Sequence, residues 1–134
     1  MLKLIPILLT ILCVTQRSIP KMCKERSFGR IPVWVEHKDK ANFQVVQGCI
    51  NGSKLKYNPN NLRSIKVSRQ NLTTLEKGAV EDITANFTLK IHNTNLTTIK
   101  EDAFLNLPQV LEIDLKKNMI DCLSSPASCH PKGA

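Results

Sequence analysis

Residues 62–85 have the sequence LRSIKVSRQNLTTLEKGAVEDITA, and residues 86–109 have the sequence NFTLKIHNTNLTTIKEDAFLNLPQ. The two segments align without a gap, and the tetrapeptide Asn-Leu-Thr-Thr recurs unchanged at residues 71–74 and 95–98. A third segment continues the pattern over residues 110–123, so the chain contains a repeat of 24 residues. Repeats of about 20 to 50 residues indicate that each unit buries its apolar side against its neighbours.

Each unit contains a short alternation of apolar and polar residues, which is the pattern of a half-buried strand. A single short strand cannot bury its apolar face alone, so three successive units predict a parallel sheet over a continuous core. The aligned apolar positions of this strand hold, in the order of the units, Ile65, Leu89 and Ile113, and then Val67, Ile91 and Leu115.

The repeat resembles that of the extracellular leucine-rich repeat family, in which the position after the strand favours Asn. The first two units depart from that pattern there, with Gln70 and Thr94. The resemblance implies an α/β-type solenoid, a short leucine-rich-repeat stack with a parallel β-sheet on the concave face and disulfide-stapled N- and C-terminal caps. The third unit matches the family best, with Val110, Ile113, Leu115, Asn118 and Ile120.

The N-terminus has the layout of a secretory signal peptide, because Lys3 is followed by an apolar run that ends at Val14. An uncleaved anchor is the alternative, but the run is shorter than the roughly 18–20 apolar residues of a membrane span. We expect cleavage near Gln16 and a secreted, extracellular product. The expected divisions are a signal peptide at 1–16, an N-terminal cap at 17–61, repeats at 62–123 (62–85, 86–109 and a partial unit at 110–123) and a C-terminal cap or tail at 124–134.

Cleavage would remove Cys13 and leave four cysteines, an even number that favours two disulfides in an oxidising compartment. Three pairings are open, and the placement of the cysteines favours Cys23–Cys49 and Cys122–Cys129. The spacings do not match the usual paired-cysteine zinc patterns. Four N-glycosylation sequons, which agree with export, begin at Asn51, Asn71, Asn86 and Asn95.

The chain carries 19 Lys and Arg against 11 Asp and Glu in 134 residues, and this excess lies in its N-terminal half. Residues 17–75 hold twelve basic and three acidic residues, whereas residues 76–134 hold six and eight. A basic half can attract acidic proteins, sulfated glycans or anionic surfaces, although a solvated face is the simpler interpretation. Nucleic acid is disfavoured as a partner, because an aromatic content of 4% leaves few rings for base stacking.

The sequence contains no nucleophile elbow, no zinc-protease motif and no phosphate-binding glycine loop. The acidic pairs at residues 81–82 and 101–102 fall on predicted turns. We therefore expect a protein that is not an enzyme and that uses no cofactor or metal.

The outward side chains of the predicted strands define a candidate surface, and in relatives with this fold the equivalent surface is the usual ligand-binding face. The leading hypothesis is a module that binds an extracellular protein there. One alternative is a binder of sulfated glycans or other anionic surfaces through the basic N-terminal half. Another is a short relative or truncated form of a receptor ectodomain, without a membrane span. The candidate contact residues are Lys66, Arg69, Lys90, His92, Asn93, Asp114, Lys116 and Lys117.

Overall fold

A computed structural model describes residues 27–120 and the backbone pairing of residues 122–123. Strands predominate in this part of the chain, and its only helices are the short 3-10 turns Gly52–Lys54 and Pro59–Asn61. The strands are β1 (Pro32–His37), β2 (Ala41–Val45), β3 (Ile50–Asn51), β4 (Leu62–Ser68), β5 (Thr74–Leu75), β6 (Val80–Glu81), β7 (Phe87–His92), β8 (Thr98–Ile99), β9 (Phe104–Leu105), β10 (Val110–Asp114) and β11 (Cys122–Leu123).

The largest sheet is mixed and has the strand order β10-β7-β4-β1-β2. Strands β4, β7 and β10 run parallel, and residues 24 positions apart are neighbours in them. Ile65 pairs with Leu89, and Leu89 pairs with Ile113. Strand β1 runs antiparallel to both β4 and β2, with Val35 opposite Ile65. The edges of this sheet, among the described residues, are therefore β2 and β10.

Two smaller sheets are parallel and have the strand orders β11-β8-β5 and β3-β6-β9. Leu75 pairs with Ile99 in the first, and Val80 pairs with Phe104 in the second, again at an offset of 24 residues. Strand β3 joins the second sheet through Ile50, which lies opposite Val80. The N-terminal segment thus adds strands to two sheets, although its sequence contains no clear further copy of the repeat.

The apolar core is formed by the alternation of side chains along these strands. In β4 and β7, buried aliphatic residues alternate with exposed or half-buried polar ones. Burial of each large aliphatic side chain contributes about 1.5–3 kcal/mol to stability. On the edge strand β10, Ile113 is only partly buried against the core, whereas Leu89 on the central strand is fully buried.

Asn118 stabilises the turn between two units through four hydrogen bonds. Its Oδ1 accepts from the backbone N–H of Thr94 at 3.0 Å and from the hydroxyl of Thr94 at 2.6 Å. Its Nδ2 donates to the carbonyl oxygens of Ile91 at 2.6 Å and Leu115 at 2.8 Å. Gln70, at the equivalent position of the first unit, donates one hydrogen bond to the carbonyl oxygen of Ser68 in its own unit. The Asn118 side chain therefore links neighbouring units, whereas this bond of Gln70 does not.

The predicted α/β-type solenoid, a leucine-rich-repeat stack with its parallel sheet on a concave face, is wrong. The described residues contain no α-helix, and they form one mixed and two parallel sheets instead of the predicted arrangement. The physical reason lies after β5 and β8, where left-handed backbone turns the chain and interrupts any helix. This backbone occurs at Gly78, Asp82, Asp102 and Asn106.

The predicted disulfide-stapled caps are not found within the described residues, because no disulfide joins two of them. Cys49 is buried and disulfide-bonded. The predicted pairs Cys23–Cys49 and Cys122–Cys129 each include a cysteine outside the described residues. The predicted signal peptide at 1–16 and the predicted cap or tail at 124–134 also lie outside them.

Leu89→Ala is expected to lower the free energy of unfolding by about 2–5 kcal/mol, because it leaves a cavity at the centre of the core. Ile113→Ala should cost less, since Ile113 is only partly buried. Urea denaturation followed by circular dichroism measures both changes. An equal or larger cost at Ile113 would contradict the central place of β7 in the core.

Candidate binding face

The solvent-facing side of the five-stranded sheet, here called the outer face, carries a continuous row of side chains. Cross-strand pairing places them in the order Phe43, Trp34, Lys66, Lys90 and Asp114, one from each strand. Neighbouring strands lie about 4.8 Å apart, so the row spans about 19 Å. The outer face therefore presents an apolar, a basic and an acidic zone side by side.

The basic zone consists of two lysines on adjacent strands. Lys66 is exposed and Lys90 is half-buried, and the two residues are direct partners in the parallel pairing of β4 with β7. Among the described residues, neither ammonium group lies within 4.0 Å of a carboxylate. Like charges at directly opposed positions destabilise a sheet. The two ammonium groups are therefore expected to repel each other across the strand pair.

The acidic zone is organised around Asp114. Its Oδ2 lies 3.1 Å from Nε2 of His92 and 3.8 Å from Nζ of Lys116, and its Oδ1 accepts a hydrogen bond from the Lys116 backbone N–H at 3.1 Å. Burial raises the pKa of this carboxyl group, but the Lys116 N–H, the His92 side chain and the Lys116 charge outweigh it. The pKa of Asp114 consequently lies below its ordinary value of 3.8, and the carboxylate is ionised at neutral pH.

Three of the predicted contact residues share one turn position, just beyond the ends of the strands. Arg69, Asn93 and Lys117 occupy the same position in successive units, with φ angles of 56°, 54° and 59°. This left-handed backbone ends the run of strand residues in each unit. The structure places the other five predicted residues on or next to the outer face, and these three adjoin it at one end.

The apolar zone is the feature that the sequence analysis missed. Trp34 is 44% exposed, and on the edge strand β2 Phe43 is 55% and Val45 is 50% exposed. The alternating residues of β1 gave part of the evidence for this zone, because Trp34 lies between two valines, which are buried in the structure. The pairing that brings Trp34 beside Lys66 could not be inferred, because the N-terminal segment lies outside the repeat.

The four sequons differ in their accessibility. Asn71 and Asn86 are exposed, whereas Asn51 and Asn95 are half-buried and their amide nitrogens already donate hydrogen bonds to neighbouring side chains. Asn86 occupies a unit position where an apolar residue is expected, and Phe87 is buried next to it. Glycosylation at the four positions stays a prediction.

No family model, no curated protein and no solved structure matches this chain. The resemblance to extracellular leucine-rich repeat proteins therefore stays a prediction. Within residues 27–120, no helix has the length and apolar character to cross a membrane. The same residues contain no group of three or more His, Cys, Asp or Glu side chains that could hold a metal ion.

Asp114→Asn is expected to lower the free energy of unfolding at neutral pH, because the amide loses the charge interaction with Lys116 and weakens the contact with Nε2 of His92. The pKa of Asp114 is lower in the folded protein than in the unfolded chain, so its stabilising contribution is complete above the ordinary value of 3.8. The contribution is lost as the pH falls through the folded value. Thermal unfolding of both proteins as a function of pH measures this effect, and a difference that persists below the folded pKa would contradict it.

Proposed function

We propose that this protein is a secreted, extracellular binding module that recognises another protein through the outer face. Its partner would present carboxylates opposite Lys66 and Lys90 and an apolar side chain opposite Trp34. The observation that carries the proposal is the adjacent lysine pair, which has no ion-pair partner among the described residues.

The two lysine charges oppose each other across the strand pair, and within the described part of the chain neither makes an ion pair. Local conflicts of this kind concentrate at functional sites, where selection for binding outweighs their cost in stability. An acidic partner would supply the opposite charges and convert the repulsion between Lys66 and Lys90 into two attractive contacts. Complementary charges would also steer the approach of such a partner and suppress the binding of basic proteins.

Trp34 provides an apolar anchor beside the basic zone. Its position on β1 is opposite that of Lys66 on β4, and its side chain is partly open to solvent. Tryptophan is enriched among the few residues that supply most of the binding energy in protein interfaces. Because sheet pairing fixes the spacing between the anchor and the lysines, the site is preorganised and binding would order few groups.

Binding fits the outer face better than catalysis does, because its charged groups lie on an open sheet. General acid–base catalysis requires titratable groups that converge on one reacting atom. Lys66 and Lys90 instead lie side by side, and Asp114 is already engaged by His92 and Lys116. The proposed mechanism is recognition by charge and shape, without a cofactor.

A panel of purified extracellular domains, screened against the immobilised protein, tests the proposal. For any domain that binds, Lys66→Glu combined with Lys90→Glu should weaken binding by about tenfold or more, which corresponds to 1.4 kcal/mol. The single variant Lys66→Glu should also bind more weakly, yet unfold at an equal or higher temperature. It replaces a repulsive cross-strand pair with an attractive one. Surface plasmon resonance and thermal unfolding measure the two effects.

The matched control is Lys54→Glu combined with Lys77→Glu, which changes the net charge equally at two exposed lysines outside the five-stranded sheet. This control should bind as the wild type does, and Trp34→Ala should bind more weakly. Equal losses in the control and the face variant would refute a specific role for the outer face. Retention on heparin to high salt, with no binding to any domain of the panel, would favour the sulfated-glycan alternative instead.

A further inference from the structure

The edge strand β2 has backbone hydrogen-bonding groups at every second residue that no other strand of the described part pairs with. Backbone hydrogen bonds at the two ends of its pairing with β1 show which residues bond across: His37 N–H donates to Lys40 O at 2.7 Å and Lys40 N–H to His37 O at 3.4 Å at one end, and Val46 N–H donates to Ile31 O at 3.0 Å at the other. In an antiparallel pair, residues alternate between those that bond to the neighbour and those that point away from it. The even-numbered residues of β2 therefore face β1.

The N–H and C=O groups of Ala41, Phe43 and Val45 consequently point away from the sheet. Among the described residues, β2 pairs with no strand other than β1. Natural edge strands are usually protected by lysine, proline or an inward-pointing charge. The segment Ala41–Val45 contains no charged residue and no proline, and its side chains at Phe43 and Val45 are about half exposed.

We infer that β2 pairs antiparallel with β2 of a second copy of this chain, about a two-fold axis at Phe43. The three residues with outward backbone groups are spaced symmetrically around Phe43. The axis would place Phe43 opposite Phe43 of the second copy, and Ala41 opposite Val45 of the second copy. Three hydrogen-bonded pairs of this kind exchange about six hydrogen bonds. The two five-stranded sheets would then form one continuous sheet.

A second copy suits this edge because the strand is complementary to itself. The two-fold axis brings apolar residues against apolar residues and places no like charges together within the paired segment. On the outer face, the row would continue from Trp34 through Phe43 of one copy to Phe43 and Trp34 of the other. Pairing would thereby cover exposed apolar surface on both chains. The inference stands on the edge strand and is independent of the proposed partner of the lysine pair.

Analytical ultracentrifugation of the full chain over a wide range of concentration tests the inference. The wild type should show a concentration-dependent monomer–dimer equilibrium, and Phe43→Lys should remain monomeric because it places two ammonium groups at the axis. Met119→Lys is the matched control, since Met119 is 54% exposed against 55% for Phe43 and lies outside the strands. It should dimerise as the wild type does. A wild type that stays monomeric, or a Phe43→Lys variant that still dimerises, would overturn the inference.

Cysteine cross-linking tests the register independently. Phe43→Cys should form an intermolecular disulfide with itself, because residues of a hydrogen-bonded antiparallel pair lie about 5.5 Å apart at Cα, within the range for a disulfide. Val45→Cys should cross-link to Ala41→Cys in a mixture of the two variants but not to itself. Peptide mapping by mass spectrometry identifies the linked residues. Self-linkage at residue 45 as efficient as that at residue 43 would rule out the axis at Phe43.

Discussion

The parallel register between β4 and β7 is the constraint on which the rest of the structure depends. It places Ile65 beside Leu89 on the inner side and Lys66 beside Lys90 on the outer side. A slip of one residue would exchange the two faces of a strand. It would expose the aliphatic side chains and bury an unpaired ammonium group, whose desolvation costs several kcal/mol. The packing of the core thus determines which charges the outer face presents.

Outside the five-stranded sheet, hydrogen bonds between residues 24 positions apart reinforce this register. The backbone N–H of Thr97 donates to the carbonyl of Thr73 at 2.9 Å, and the amide of Asn106 donates to Oδ1 of Asp82 at 2.9 Å. Each bond joins equivalent positions of successive units. If one unit shifted along its neighbour, contacts in all three sheets would break together. The register is therefore a cooperative property of the fold.

The parallel pairing and the residues Lys66, Lys90 and Asp114 could be predicted because apolar positions recur without gaps and alternate with polar ones. The fold class could not, because the spacing of the apolar residues does not indicate the left-handed backbone at Asp82 and Asn106. The position of Trp34 beside Lys66 could not be predicted from the sequence either. It arises from the antiparallel pairing of β1 with β4, a long-range contact outside the repeat.

An engineered disulfide between the parallel strands measures the register most directly. Ser64 and Thr88 are partners in adjacent strands, about 4.8 Å apart, and Ser64→Cys combined with Thr88→Cys should form an intramolecular bond under mild oxidation. Ser64→Cys combined with Lys90→Cys, displaced two residues along β7, should stay reduced at these positions. Peptide mapping by mass spectrometry distinguishes the two outcomes. A bond in the displaced pair, or equal oxidation of both pairs, would contradict the 24-residue register.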